Sequence, residues 1–401
     1  MPVQAGFKLF NSVKLMQNEW PNRIPDVAVE DLLGRKPASL DEAMVRLCIQ
    51  GRVVMVTGAA GSIGSELLRQ LARFGPRRLI CFDQAETPLF ELERELDEKF
   101  PALAIDYEMG NVTRYDDVNR VMKSNQPSIV FHAAAYKHVS MVERQPFRAL
   151  ENNVLGTWNV AQAALANNVD SFVLISTDKA VRPVSVMGVS KRIAEMAIQS
   201  LEKQGSAKFV AVRFGNVIGS SGSVVPIFKN QIAAGGPVTV THAEMSRYFM
   251  TASEAAQLVL QALAMGQGGE IFVLDMGEQV NILDLAKKLI RLSGLVADED
   301  IEIEFTGPRP GEKLMEELSA KDEELAPTMH RSILGVVSAR KVDARRVLDF
   351  MEELRRSVDA RNPAETLRLV KELVPDYVPG PSLLENLVSI KDVEANEITA
   401  H

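Results

Sequence analysis

The stretch RVVMVTGAAGSIG, residues 52–64, decides the fold. RVVMVT (52–57) is a short apolar run rich in β-branched residues, the pattern of a strand buried on both faces. SIGSELLRQLARFG follows as a helix that ends at Gly75. Between them, glycines fall at 58, 61 and 64. One permits a tight turn, one lets backbone approach a pyrophosphate, and one lets the helix pack on the strand. The helix start offers unpaired N–H groups and a positive dipole end to phosphate. Gly58, Gly61, Ser62, Ile63 and Gly64 are therefore the expected cradle of a dinucleotide. The next apolar run, RLICFD (78–83), ends in Asp83, nineteen residues after Gly64. A carboxylate at that place accepts from both ribose hydroxyls and repels a 2′-phosphate, so NAD is expected rather than NADP.

Working outward, TPLFELERELDEKF (87–100) reads as a helix with Pro88 in its first turn. SIVFHAAA (128–135) and SFVLIST (171–177) are further strands, separated by a helix in ENNVLGTWNVAQAALANN. This alternation predicts an α/β fold, a doubly wound parallel sheet of Rossmann type with a smaller C-terminal substrate lobe. After VAVRFGNVIG (210–219) the spacing becomes irregular and Gly and Pro more frequent. NILDLAKKLIRLSG (281–294) is one helix of the lobe, capped by Asn281 and stopped by Gly294. The expected divisions are a lead over 1–50, a nucleotide-binding domain over 51–215, and a lobe over 216–320 interleaved with it. A charged helical extension with no chemistry of its own is expected over 321–401.

Composition bounds the function. The 401 residues carry a net charge of -8, which excludes a general nucleic-acid binder. Cys48 and Cys81 are too few for a disulfide framework and fit a reducing, cytoplasmic setting as buried thiols. No apolar run reaches the length of a membrane span, and the N-terminus lacks a secretory signal pattern. No His/Cys/Asp/Glu grouping has metal-ligand spacing, so no metal is expected. His132 and His138 flank the AAAYK loop and read as packing residues.

The chemistry is expected in STDKAVRPVSVMGVSKR, residues 176–192. Thr177, Asp178 and Lys179 stand at the carboxyl end of a strand, where open α/β sheets bind ligands. Pro183 breaks the chain before a helix that starts near Met187. Met187 and Lys191 lie one turn apart and share a face, which aims Lys191 at a nicotinamide ribose and Met187 toward substrate. Short-chain dehydrogenase-type enzymes carry Tyr-x-x-x-Lys here, with the phenol as base. A methionine exchanges no proton, so acid–base work falls on Thr177, Asp178 and Lys179. An acid beside an amine suits a 4,6-dehydration, in which C5 loses a proton and the C6 oxygen gains one. The expected roles are Lys179 as the C5 base and Asp178 as the acid at O6, with Thr177, Asp178 or a water as base at O4.

The three-and-three glycine spacing resembles the extended short-chain dehydrogenase/reductase family. VTGAAGSIGSELLRQL, FHAAAYKHVSMVE, NNVLGTWNV, ISTDKAVRPVSVMGVSKRIAE, RFGNVIGSSGSVVPIF and FTGPRPGEKLMEEL together resemble the bacterial UDP-N-acetylglucosamine 4,6-dehydratases of glycan and polysaccharide biosynthesis, over about residues 25–320. Methionine in place of tyrosine resembles the branch usually attached to membrane helices. Residues 25–50 resemble the segment joining membrane and catalytic parts, so the chain is expected to be a natural short form or a truncated one.

The resemblance implies NAD contacts at Asn111 and Val112, at Ala133, Ala134 and Ala135, at Asn153 on the nicotinamide side, and at Lys191. It places Tyr136 and Lys137 near the sugar and Asn216 on the diphosphate side. Arg247 and Arg309 become UDP ligands, since a guanidinium donates paired bonds to phosphate, and Glu312 an acceptor from ribose hydroxyls. The implied substrate is a UDP-N-acetylhexosamine. The alternatives are a nucleotide-sugar 4-epimerase or 4-ketoreductase, against which Met187 counts, and a non-catalytic nucleotide-sugar or NAD sensor. Self-association is expected through a second apolar aspect of the helices near 150–168 and 190–204, with Trp158 and Met196 on it.

Overall fold

The structure, a computed structural model, describes residues 40–202, 204–338 and 342–380. IPDVAVEDLLGRKP (24–37), which reads as extended chain plus a short helix, lies with most of the lead outside the described residues.

Helix α1 (Glu42–Ile49) precedes strand β1 (Val53–Thr57), every residue of which is buried. Helix α2 (Ser62–Leu71), β2 (Arg78–Asp83), α3 (Glu86–Lys99), β3 (Ile105–Met109), α4 (Tyr115–Asn125) and β4 (Ile129–His132) follow. Then come α5 (Gly156–Ala166), β5 (Ser171–Thr177), α6 (Val186–Leu201) and β6 (Lys208–Phe214). The chain continues through α7 (Val224–Ala233), α8 (Ala252–Met265), β7 (Ile271–Leu274) and α9 (Ile282–Leu292). It closes with β8 (Glu323–Pro327), β9 (Ile333–Ser338), α10 (Ala344–Asp359) and α11 (Pro363–Leu373). The sheet has nine strands in the order β8-β9-β7-β6-β5-β4-β1-β2-β3, and β3 through β7 are parallel. The order reverses between β1 and β4, and such a switch point opens a crevice at the carboxyl ends of the strands.

Two apolar clusters sandwich the sheet. On one side, Val54 and Val56 of β1 pack with α1, α2, α3 and α8, including Val45, Leu67, Leu68, Leu89 and Leu258. On the other, Met55, Ile80 and Phe82 pack with α4, α5 and α6, including Val121, Val160 and Ile198. Adjacent residues along each strand therefore face opposite layers, which is why the strands read as continuous apolar runs. A separate cluster, with Phe228, Val240, Phe249, Leu285 and Leu289, forms the core of a smaller lobe built from α7, α9 and the short strands around them. Helix α9 has the expected ends: Asn281 accepts from the Asp284 N–H, and Gly294 takes φ 77°.

Two expectations change. The run at 128–135 is a strand only to His132: Ala133 still donates to Thr57 O at 3.0 Å, and the chain then leaves the sheet. The extension after 320 is not all helix. Its first part is the antiparallel hairpin β8–β9, which adds to the sheet edge through β7. The reason is electrostatic as much as conformational. Arg213 of β6 is 1% exposed and donates to Glu195 of α6 at 2.8 Å and to Glu323 of β8 at 2.7 and 2.9 Å. Glu323 supplies the second carboxylate that a buried guanidinium needs.

Helices α10 and α11 then fold back over α5 and α6. Phe350, Met351, Leu354, Leu369 and Leu373 pack with Val189, Ile193 and Ala197, and Trp158 and Met196 lie half-buried against them. Arg355 donates to Asn159 at 2.8 Å across this contact. Part of the face expected to carry self-association is thus packed within the chain, with Trp158 and Met196 left half-buried. Cys81 is buried and Cys48 half-buried, both as free thiols. No described helix is long and apolar enough to cross a membrane.

Burial alone would raise the Glu195 carboxyl, but Arg213, Arg192 and Ser176 hold it down to about 2. A folded value below the unfolded one makes this contribution present above about pH 4.3. It is lost as pH falls toward 2. Arg213→Ala leaves Glu195 and Glu323 with the partly exposed Arg192 as their cationic partner and is expected to lower the unfolding free energy by about 3 kcal/mol in urea titrations at neutral pH. Arg52→Ala breaks an exposed 2.9 Å pair with Asp170 and is expected to cost no more than about 1 kcal/mol. Equal losses in the two variants would refute the ranking.

Candidate functional site

The glycine loop leaves β1 with Gly58 at φ 68°, a left-handed conformation that disfavours any side chain. A Cβ on Gly58 would stand 2.6 Å from Ala134 N, and one on Gly64 2.1 Å from Gly58 O. The loop backbone therefore lies against the chain beyond β4, and α2 lies against the loop. Gly61 is the N-cap of α2 and provides no side-chain cap, so the first N–H groups of the helix are available to an anion. Ser62 begins this helix, while the Ile63 side chain packs into the apolar layer beneath. Asp83 accepts from Ala60 N at 2.9 Å through one oxygen and from Ala85 N at 3.0 Å through the other. Each oxygen keeps a lone pair for a further donor. A cleft of about 520 Å³, its open mouth included, is lined by Gly58, Gly61, Phe82, Asp83, Gly110 and Val112, together with Ala133 to Tyr136. That is the scale of a small-ligand site. These features fit the adenosine diphosphate portion of NAD.

Not every expected cofactor residue faces this cleft. Asn111 accepts from Thr113 N at 2.9 Å, so its amide oxygen closes a local turn while Gly110 and Val112 do the lining. Asn153 is fully buried in the π-helical turn Leu150–Leu155. Its amide donates to Tyr136 O and Ser190 Oγ, both at 3.0 Å, and accepts from Tyr136 N at 2.8 Å and Asn152 Nδ2 at 3.1 Å. That exhausts an asparagine side chain. Asn153 thus braces the Tyr136 backbone against α6 and has no capacity left for nicotinamide. His132 is likewise structural: it bridges Thr57 Oγ1 at 2.7 Å and Thr157 Oγ1 at 2.9 Å. Burial, with a smaller push from Lys191, lowers it to about 3, so it is neutral at physiological pH. His138 packs its ring over Gly222.

The acid–amine pair lies where β5 ends. Thr177 caps a single 3-10 turn, Asp178–Ala180, and donates through Oγ1 to Asp178 Oδ1 at 2.9 Å. Lys179 Nζ donates to Asp178 Oδ1 and to Asn216 Oδ1, each at 3.0 Å, and stands 3.4 Å from Glu316 Oε1. Burial pushes the Lys179 ammonium down, but Asp178 and Glu316 more than offset it and the net direction is up. Asp178 is 1% exposed, and its Oδ2 has no protein partner. Helix α6 begins directly against this turn: Ser185 caps it, and a Cβ on Gly188 would stand 2.3 Å from Lys179 O. Met187 is buried with Val189, Leu150 and Val154, so it belongs to the apolar layer and supplies no proton. Lys191, one turn on, is 4% exposed. Burial lowers it to about 8 despite the nearby Glu195.

The remaining expected residues come from four segments. Tyr136 and Lys137 are exposed beside the cleft, and burial of its stem lowers the Lys137 ammonium. Asn216 lies on the strand segment after β6 and serves Lys179. Arg247 is 6% exposed, donates to Ser246 O at 2.8 Å and Leu314 O at 3.1 Å, and stands 4.0 Å from Glu316. Arg309 is exposed, and its backbone N–H is capped by Glu312 at 3.2 Å, so this glutamate holds its own loop. Sequence reasoning missed Glu316 and Lys313, which donates to Val181 O at 2.9 Å. Both lie inside the quoted FTGPRPGEKLMEEL run (305–318). Nothing in the residue pattern aims either at a turn more than 130 positions earlier. Among the described residues no cluster is suited to hold a metal ion.

Comparison with known proteins follows this geometry. The family described as "Polysaccharide biosynthesis protein" matches residues 54–338. The capsular polysaccharide biosynthesis protein CapD of Staphylococcus aureus is 52% identical over 326 residues, which are 79% of this chain and 53% of that protein. The chain thus spans about half the length of this relative. A UDP-glucose 4-epimerase of Rickettsia rickettsii is 35% identical over 279 residues, 68% of this chain and 79% of its own. Among solved structures, Pen from Bacillus thuringiensis superposes with a TM-score of 0.66 at 35% identity, covering 74% of this chain and 89% of Pen. On a match that takes in the glycine loop, the acid–amine turn and the edge hairpin, the chain belongs to the polysaccharide biosynthesis protein family.

Proposed function

We propose that the chain modifies a nucleotide sugar for polysaccharide synthesis, and specifically that it converts UDP-N-acetylglucosamine to a UDP-4-keto-6-deoxy-N-acetylhexosamine by 4,6-dehydration. One observation carries this reading: a carboxyl–ammonium pair, its carboxyl buried, at the carboxyl end of β5, beside a helix that carries methionine in place of the expected phenol. NAD, when bound, supplies a reversible hydride acceptor, taking hydride from C4 and returning it to C6. The chain's residues manage protons. O4 and C5 each lose a proton, C5 later regains one, and the C6 oxygen leaves as water after gaining one. Lys179 is placed to take the C5 proton, and Asp178, whose Oδ2 has no protein partner, to give one to the C6 oxygen. Lys191 orients the nicotinamide ribose, and Arg247, Arg309 and Lys137 attract the diphosphate and sugar.

The test is incubation with NAD and UDP-N-acetylglucosamine, read by mass spectrometry. A product lighter by one water, with no accumulation of reduced cofactor, is expected. An isobaric product would replace dehydration by the 4-epimerisation that the rickettsial relative's name describes. Lys179→Ala is expected to lose about 10²–10⁴-fold in turnover, while UDP still binds. Retained turnover would remove the lysine from the mechanism.

The NAD preference is tested separately. Asp83→Asn keeps an acceptor for Ala60 N but loses the charge, and is expected to weaken NAD about tenfold or more while easing entry of NADP. An unchanged ratio of NAD to NADP affinity would count against Asp83 as the discriminator.

A further inference from the structure

Glu143 belongs to none of the groups described above, yet separate segments of the site meet on its carboxyl. It lies on the short helix Val139–Arg144, which follows Tyr136 and Lys137, and it is 2% exposed. Its Oε1 accepts from Val186 N, the first N–H of α6. Ser185 takes Gly188 N of the same helix end at 3.0 Å, so Glu143 is a second, charged anchor on the positive end of α6. Its Oε2 is buried without a protein partner. A buried acceptor left unmade costs about 1–3 kcal/mol, so stability does not explain a glutamate here. The loop that carries Arg309 rests on the same carboxyl. Gly311 takes φ 79°, and a Cβ there would stand 3.0 Å from Glu143 Oε1 and 3.0 Å from Ser185 Cβ. Two residues on, Lys313 donates to Val181 O at 2.9 Å. The loop thus touches both ends of the segment that runs from the acid–amine turn to α6. The C-terminal extension covers the junction: a Cβ on Gly380 would stand 3.7 Å from Gly311 N and 4.0 Å from Glu143 Oε2.

Resting on the reading of Arg309 as a UDP ligand, we propose that Glu143 is a positioning residue that seats the 307–313 loop on the start of α6. The side chain makes one surface out of the helix end and the loop backbone, and only a glycine at 311 lets the two close to this distance. Arg309 is thereby set relative to Lys191 and to the acid–amine turn, so the nucleotide and the reacting sugar are held in one frame. A misplacement of about 1 Å between such parts costs on the order of 10²-fold in rate. The role is one of shape, so an amide of the same size serves where a methyl does not.

The experiment measures UDP and NAD affinity by calorimetry, and amide hydrogen exchange over 307–313 without ligand. It compares wild type with Glu143→Gln, Glu143→Ala, Gly311→Ala and the Glu143→Ala/Gly311→Ala double variant. Glu143→Gln keeps the acceptor for Val186 N and is expected to bind UDP within about threefold of wild type. Glu143→Ala and Gly311→Ala are each expected to weaken UDP about tenfold or more, with NAD affinity within about threefold. Removing the carboxyl makes room for the added methyl, so the double variant is expected to lose less than the product of the two single losses. Exchange over 307–313 is expected to quicken in Glu143→Ala. Unmoved exchange overturns the proposal, as do single losses that multiply, NAD weakened in step with UDP, or a Glu143→Gln loss equal to that of Glu143→Ala. Faster exchange in Glu143→Ala, combined with a wild type that binds no UDP, keeps the role of Glu143 and overturns UDP as the ligand of the loop instead.

Discussion

A guanidinium buried in the sheet governs how this molecule is put together. Arg213 on β6 is opposite Ser176 on β5, and Ser176 donates to Glu195 at 2.6 Å. Glu195 accepts from Arg213, and Glu323 completes the guanidinium from the edge hairpin. Buried ion pairs gain little over apolar packing, but removing one partner is severe. The network therefore acts as a constraint on geometry. It fixes strand β5 one residue before Thr177, and helix α6 one turn after Lys191. The two segments that carry the expected chemistry are locked to each other from below.

Above that lock, burial and charge set what each site group can do. Lys191 and Lys179 lie at the same end of the sheet, the first buried and the second partly so, and they are driven in opposite directions. Lys191 meets mainly desolvation and falls to about 8. Lys179 faces two carboxyls and rises. Divergent environments for like groups are how a fold separates an electrostatic role from a proton-transfer role.

The C-terminal extension is part of this framework and not an appendage. Its hairpin supplies Glu323, and α10 and α11 pack on an apolar aspect of α5 and α6. Tyr377, just beyond α11, is 2% exposed and raised by burial and by the nearby Glu143. Glu143 in turn accepts from Val186 N at the start of α6. The extension thereby reaches the entrance of the helix that bears Lys191.

The sequence by itself determined the doubly wound sheet, the glycine loop with Asp83, and the Thr177–Asp178–Lys179 turn. Each is a local pattern: strand runs, glycine spacing and a break at Pro183 act within a few residues of one another. The tertiary structure alone decided the rest. Asn153 and Asn216 look alike in the sequence as polar residues near a ligand, yet one is saturated by Tyr136 and Ser190 and the other holds Lys179. The charged run after 320 read as helix because charge density says nothing about a buried cation 110 residues away. Glu316 reaches Lys179 only because the lobe folds back over the sheet. Contacts of that kind depend on packing between distant segments, which no local periodicity encodes.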